Sequence, residues 1–248
     1  MNNMKTIKAR GLVIREFEAG ESDKRLLLMC KGFGRVMVYA RGVRKQSSKF
    51  MAATQLFTYA DYVLTPSKGI YFLTQADIID MFYNIRVDYD RLLSAHLIAE
   101  VCDKTLWDNV DCDDLLLLTL KSLSRLAKGR IPSLQVTCVF MFRFFVFHGI
   151  QPQTDSCVVC NKLPSEMDRY FFSSEGLVCK PCKTAHSSGY IVNVSSAALL
   201  AIAFILQSDL DKVFLFTAYD GVLEELRKVA RMLWTTNFED SFLNTLWM

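Results

Sequence analysis

24-KRLLLMCKGFGRVMVYARG-42 consists of two runs of apolar and β-branched residues on either side of Gly32-Phe33-Gly34. Glycine has no Cβ and takes the positive φ of a tight reversal at little cost, so the stretch reads as two strands folded back on each other. Moving outward, the same texture recurs at 7-IKARGLVIREF-17, 56-LFTYADYVL-64 and 70-IYFLTQA-76. Turn chemistry separates these runs at Ala19-Gly20-Glu21 and at Pro66-Ser67-Lys68-Gly69. Five short strands in roughly 75 residues predict a small closed barrel of the OB type.

Near residue 80 the period of apolar residues changes from that of a strand to that of a helix. Leu92, Ala95, Ala99, Cys102 and Leu106 fall on one helical face, as do Leu116, Leu120, Leu123 and Ala127 ahead of Gly129. A third helix is expected from Pro132 to about His148. Its segment 136-VTCVFMFRFFVF-147 is apolar nearly all round, as in the central helix of a bundle. Farther on, Ser195 or Ser196 is placed to cap a helix through Leu206, and 221-GVLEELRKVARMLW-234 sets Glu224 four residues before Lys228. The expected fold class is α+β and multi-module: an N-terminal OB-type β-barrel, then an α-helical bundle with an inserted four-cysteine zinc module. The expected domains are 1–80 for the barrel, 81–150 and 191–248 for two parts of the helical domain, and 151–190 for the zinc module.

That insert is 157-CVVCNKLPSEMDRYFFSSEGLVCKPC-182, two Cys-x-x-Cys pairs separated by eighteen residues. Each pair lets two thiolates reach one metal, so Cys157, Cys160, Cys179 and Cys182 would fill a tetrahedral Zn2+ shell. A filled shell leaves no position for water or substrate, which points to a structural zinc. Competing chemistries fit less well. A thioredoxin-like site needs a single pair between strand and helix, and a zinc deaminase needs a His-x-Glu that is absent. His186, four residues past Cys182, is an alternative ligand. Cys30, Cys102, Cys112 and Cys138 stand singly in mostly apolar surroundings and read as buried thiols.

At 248 residues, with 51% hydrophobic and 22% charged residues, the chain has the composition of a folded protein with one to three compact modules. The apolar run from Ala197 to Leu206 is too short to span a bilayer, and the N-terminal MNNMKTIKARG lacks the apolar core of a signal peptide. A cytoplasmic location with no membrane partner is expected, and that reducing compartment favours metal ligands over disulfides for the eight cysteines. Phosphate loops, Gly-x-Ser-x-Gly elbows and His-Glu-x-x-His helices are missing, and Met37 stands where a dinucleotide fingerprint after Gly32 and Gly34 requires glycine. His96 reads as a packed or solvated residue, and Asp113-Asp114 and Glu224-Glu225 read as solvated helix positions. A binder rather than an enzyme is expected.

Charge indicates what is bound. Residues 1–80 carry thirteen Lys and Arg against seven Asp and Glu, whereas residues 81–248 carry sixteen against nineteen. In 35-RVMVYARGVRKQSSKF-50, alternation sets Val36, Val38 and Ala40 on one face and Arg35, Met37, Tyr39 and Arg41 on the other. Gly42 then opens a loop bearing Arg44, Lys45 and Lys49. Cations for the backbone and flat rings for the bases are what single-stranded nucleic acid requires. Arg41, Arg44, Lys45 and Lys49 are the expected phosphate contacts, with Arg35, Lys24 and Arg25 behind them and Tyr39 as a stacking platform. Lys24 and Arg25 point to opposite faces of one strand, so at most one joins the ribbon.

The stretch 10-RGLVIREFEAGESDKRLLLMCKGFGRVMVYARGVRKQSSKF-50 resembles the bacterial recombination mediator RecO family in its Glu21-x-Asp23 turn, its Gly34 turn and Ala40-Arg41-Gly42-Val43-Arg44-Lys45 followed by Ser48. The later helices interrupted by two Cys-x-x-Cys pairs are similar to the zinc-containing branch, so the resemblance covers essentially the whole chain. Gln46-Ser47 stands where that family often carries another basic residue or proline. The resemblance implies binding to single- and double-stranded DNA, annealing of complementary strands, association with RecR, and help to RecA in replacing single-strand-binding protein. The alternatives are a zinc-stabilised adaptor that binds proteins only, and a nucleic-acid-modifying enzyme.

Overall fold

In a computed structural model, residues 5–108, 110–184 and 190–238 are described. Strands β1 (Ile7–Ala19), β2 (Asp23–Cys30), β3 (Gly34–Ala40), β4 (Tyr59–Ser67) and β5 (Ile70–Asp80) close a barrel in the order β1-β2-β3-β5-β4. All neighbours are antiparallel except β3 and β5, which pair in parallel at Val38 with Tyr71 and Tyr39 with Phe72. This is the expected OB-type barrel. Ala9, Val13, Leu26, Leu28, Cys30, Val36, Val38, Ala40, Ala60, Tyr62, Leu64 and Leu73 fill its interior, alternating along each strand as pleat geometry demands. The long β1 serves two neighbours: residues 7–12 pair with β4, and residues 11–19 pair with β2 across a register shift between Val13 and Arg15.

Both limits of β4 differ from the sequence reading, and β1 and β5 run on past it to Ala19 and Asp80. Leu56–Thr58 precede β4, because the Val13 carbonyl draws the Phe57 amide across at 2.8 Å and Phe57 turns to φ 66°. The last barrel hairpin turns on Lys68-Gly69 alone, and β4 runs on through Pro66. Pairing of β1 with β4 ends at Leu64, so proline's missing donor costs that ladder nothing.

Helices α1 (Tyr89–Thr105) and α2 (Asp113–Lys128) belong with the barrel, since the chain divides into compact units at Gly129. The change of texture at residue 80 marks the end of the strands, and the compact unit runs on to Gly129. Helical period reveals which face is apolar, and the partner of that face is a tertiary matter. Asp103 of α1 meets the barrel directly: it is buried and takes both Arg15 of β1 and Arg35 of β3. Asp88 caps α1 by accepting from the Arg91 amide at 3.0 Å, and Gly129 ends α2.

Gly34 is fixed by sterics. Its φ is 69°, and a Cβ there would lie 2.1 Å from the Val110 carbonyl oxygen of the loop between α1 and α2. Gly20 has nearly the same φ, 65°, yet open space around it. We expect Gly20→Ala to cost only left-handed strain, about 1–2 kcal/mol, and Gly34→Ala clearly more, because backbone must move as well. Urea unfolding of the two variants side by side measures the difference. Equal midpoints would refute the close approach.

The second unit is built on α3 (Ser133–Phe147), α5 (Ser196–Gln207) and α6 (Asp220–Phe238). Residues Gln135–Phe142, Phe144 and Phe145 of α3 are buried, the pattern of the central helix expected from its sequence. Trp234 lies 5.8 Å from Phe144 and stacks at 4.3 Å on Phe238. Strands β6 (Tyr170–Phe172), β7 (Leu177–Cys179) and β8 (Val192–Val194) form a small sheet in the order β7-β6-β8, and the short α4 (Lys180–Lys183) follows β7. Ser195 caps α5 through the Ala198 amide at 3.1 Å. In α6, Glu224 pairs with Arg227 at 2.7 Å rather than with Lys228 as its spacing suggested. No helix among the described residues is long and apolar enough to cross a membrane.

Candidate nucleic-acid interface and metal centre

The basic loop leaves β3 at Arg41 and is pinned from beneath by Asp23, the first residue of β2. One Asp23 oxygen accepts from the Gly42 amide at 2.7 Å, the other from the Tyr39 hydroxyl at 2.9 Å. The Arg44 amide donates to the Ser22 carbonyl at 2.9 Å, and Val43 tucks into the barrel core. Arg41, Arg44, Lys45 and Lys49 are left exposed around this fixed backbone. Arg44 also reaches Glu18 at 3.0 Å, and Arg41 lies 4.3 Å above the Phe72 ring.

Asp23 is the site residue that chemistry-by-type did not single out. Its signal was present in the Glu21-x-Asp23 turn, but its role needs the partner strand. Bonding to the Gly42 amide and then to Tyr39 holds its carboxyl below the ordinary value, and the same bond raises Tyr39. A carboxyl lowered on folding contributes fully above its unfolded pKa of about 3.9 and loses that contribution as pH falls through its lower folded value. Asp23→Ala is thus expected to speed exchange of the Gly42 amide at pH 7, while the native chain shows that loss only in the acid range below roughly pH 4. Unchanged exchange in the variant would mean that Asp23 does not hold the loop.

The remaining sequence candidates separate by face. Arg25 sits directly opposite Tyr39 and is exposed, so it shares the outer surface. Lys24 is opposite Ala40 and is held by Glu16 at 2.7 Å. Arg35 is drawn away from the ribbon, lying 3.8 Å from Asp103 and 3.6 Å from Asp108. Alternation placed it on the right side of β3, but it could not foresee that α1 covers that end of the strand.

Four thiols converge in the second unit. The sulfurs of Cys157, Cys160, Cys179 and Cys182 all lie within 4.8 Å of one another. Cys160 and Cys179 are 3.7 Å apart, near the ~3.8 Å edge of a tetrahedron with metal–sulfur bonds of about 2.3 Å. All four are free thiols. The fold brings them together through β7: the Val158 amide donates to the Leu177 carbonyl at 2.9 Å, and the Cys179 amide points at the Cys157 sulfur at 3.4 Å. Burial resists ionisation of Cys157, yet the amides of Cys179, Cys160 and Val159 outweigh it and lower that thiol to about 6. The donor set therefore fits a thiophilic cation whose charge offsets four crowded sulfurs. The alternative ligand His186 lies outside the described residues.

Other candidate chemistry resolves into packing. His96 meets Phe57 edge-on at 5.4 Å, and His148 lies 4.0 Å from the Phe144 ring. Cys30, Cys102, Cys112 and Cys138 are buried, and desolvation raises all four, the first three to about 12. Two acidic groups read as solvated prove structural. Asp113 accepts from the Gly32 amide at 2.7 Å, and Glu225 accepts from both the amide and the hydroxyl of Ser195 at 2.7 Å.

An OB-type barrel with an anchored cationic loop, followed by helices and a four-cysteine cluster able to hold a metal, defines the class of protein at hand. Residues 4–82 match the family model "Recombination protein O N terminal", and residues 86–244 match "Recombination protein O C terminal". The chain is 30% identical over 239 residues to the DNA repair protein RecO of Acetivibrio thermocellus, covering 96% of this chain and 94% of that one. It is 33% identical over 208 residues to the DNA repair protein RecO of Desulfitobacterium hafniense, covering 83% and 75%. The RecO of Caldicellulosiruptor saccharolyticus is 30% identical over 235 residues, covering 94% and 92%. The chain belongs to the recombination protein O family of DNA-repair proteins.

Proposed function

We propose that the chain is a non-enzymatic recombination mediator that binds single- and double-stranded DNA through its barrel (1–80) and anneals complementary single strands. The observation that carries this reading is the fixed loop bearing Arg41, Arg44, Lys45 and Lys49 beside the exposed Arg25. Annealing brings two polyanions together, and a basic surface lowers their repulsion without any bond being made or broken. Together with RecR, the chain assists RecA in replacing single-strand-binding protein in recombinational repair, acting in the cytoplasm at the nucleoid. The metal held by Cys157, Cys160, Cys179 and Cys182 is one structural Zn2+ bracing the module at 151–190. Purified protein incubated with labelled complementary oligonucleotides should bind in a salt-sensitive manner, accelerate duplex formation and leave the strands chemically intact, with about one zinc per chain on the same sample. Absence of binding would leave the protein-only adaptor. Cleaved or modified strands would make it an enzyme.

A further inference from the structure

Register places four residues of four adjacent strands side by side on the outside of the barrel. Phe17 of β1 is opposite Arg25 of β2, Arg25 is opposite Tyr39 of β3, and Tyr39 is opposite Phe72 of β5. The Arg25 guanidinium lies 5.6 Å from the Phe17 ring centre, the Tyr39 and Phe72 rings are 5.5 Å apart, and Arg41 closes the end of the row over Phe72. Phe17, Tyr39 and Phe72 are each half-buried, with part of each ring left to solvent. The same outer face is covered in part farther along: Leu27 and Met29 are fully buried and Arg15 and Arg35 beside them are engaged by Asp103 of α1, while Met37, opposite Leu27, stays exposed. The row, with the exposed Met37 next to it, thus lies beyond the part of the face that α1 covers, and the cationic loop adjoins it through Arg41 and the Asp23 anchor.

We propose that Phe17, Tyr39 and Phe72, with Arg25 between the first two, form the subsite by which this chain distinguishes single-stranded from double-stranded DNA. This rests on the proposed DNA-binding function and goes beyond it by separating two tasks. The loop cations meet phosphates, which both forms of DNA present. The rings need exposed base faces, which a duplex hides in its own stack and an unpaired strand offers. A strand crossing the barrel at right angles to β1, β2, β3 and β5 lays successive bases on the row while its backbone follows Arg25 and Arg41. Tyr39 is held by its hydroxyl at Asp23, so its ring is oriented before any base arrives.

The test compares the native chain with Phe17→Leu/Phe72→Leu, which keeps apolar bulk and removes two π-faces, using fluorescence anisotropy on an oligothymidylate and on a hairpin duplex over a range of salt. Stacking on one base changes affinity by roughly 5- to 150-fold, so the double variant should lose at least about tenfold on the single strand. Affinity for the duplex and both salt slopes should stay as in the native chain. Equal losses on both ligands, or no loss on either, would overturn the proposal. If the variant fails to fold, ultraviolet crosslinking of the native chain to a bromodeoxyuridine strand decides instead: adducts on peptides holding Phe17, Tyr39 or Phe72 support the subsite, and adducts only elsewhere refute it. A native chain that binds no DNA removes the proposed function and the subsite together. Binding that depends on the loop cations but is indifferent to the row removes the subsite alone.

Discussion

Cys179→Ser is expected to purify without metal and with its second unit largely unfolded or insoluble. Cys179 ends β7, and its amide and sulfur both contact the opposing Cys-x-x-Cys pair, at Cys157 and Cys160 respectively. The strands around the cluster are short, three residues each in β6, β7 and β8. Apparent binding energies for structural zinc run to about 10 kcal/mol or more, comparable to the whole stability of a domain. Exhaustive chelation of the native chain should do the same, lowering the melting temperature of the second unit while the barrel, which contributes no thiol to the cluster, keeps its strand signal. Metal analysis with differential scanning calorimetry checks both. A soluble, metal-free Cys179→Ser with native melting would show that the cluster braces nothing. A folded variant that lost only activity would place catalytic chemistry at the metal instead.

The second large effect is expected from changing Arg41, Arg44, Lys45 and Lys49 together to alanine. Each phosphate contact on a single strand contributes a salt slope of about −0.7, so the slope of binding should become shallower by as much as roughly 2.8. The full change requires Arg44 to leave Glu18, from which it lies 3.0 Å away, and a loss nearer three contacts would indicate that it stays there. Single- and double-strand affinity should fall together, and annealing with them. Melting temperature should barely move, because exposed cations add little to stability and Asp23 still holds the Gly42 amide. Unchanged affinity and salt dependence in the quadruple variant would shift the DNA site elsewhere, most naturally to the corner at Lys180 and Lys183 beside the cysteines.

The barrel and the cysteine cluster were legible because both are written in local pattern. Period-two alternation with turn residues makes strands, and five strands this short close on themselves. Each Cys-x-x-Cys pair brings two thiols together locally, and the repeated spacing marks the two pairs as partners, although their meeting depends on the contact of Val158 with Leu177. The strand ends at Leu56 and Pro66 were less legible, because they depend on where β1 stops pairing and where Val13 bonds. The ordering of the helices was legible as apolar faces only. That α1 meets the barrel, as where Asp103 finds Arg15 and Arg35, is a match between residues more than sixty positions apart.

By itself, then, the sequence determined the strands, the inward set of the barrel, the central α3, the four cysteines that cluster and the crowding of cations between Arg41 and Lys49. Each of these shows as a pattern of spacing or residue type along the chain. Tertiary structure alone decided which cations remain available: Arg35 is taken by α1, Lys24 by Glu16, and Arg25 is left beside Tyr39. It also decided that Asp23 anchors the loop and that Phe17 and Phe72 extend one aromatic row. Those facts depend on strand register and on the helix that covers the sheet, and both are fixed only when distant segments bury one another.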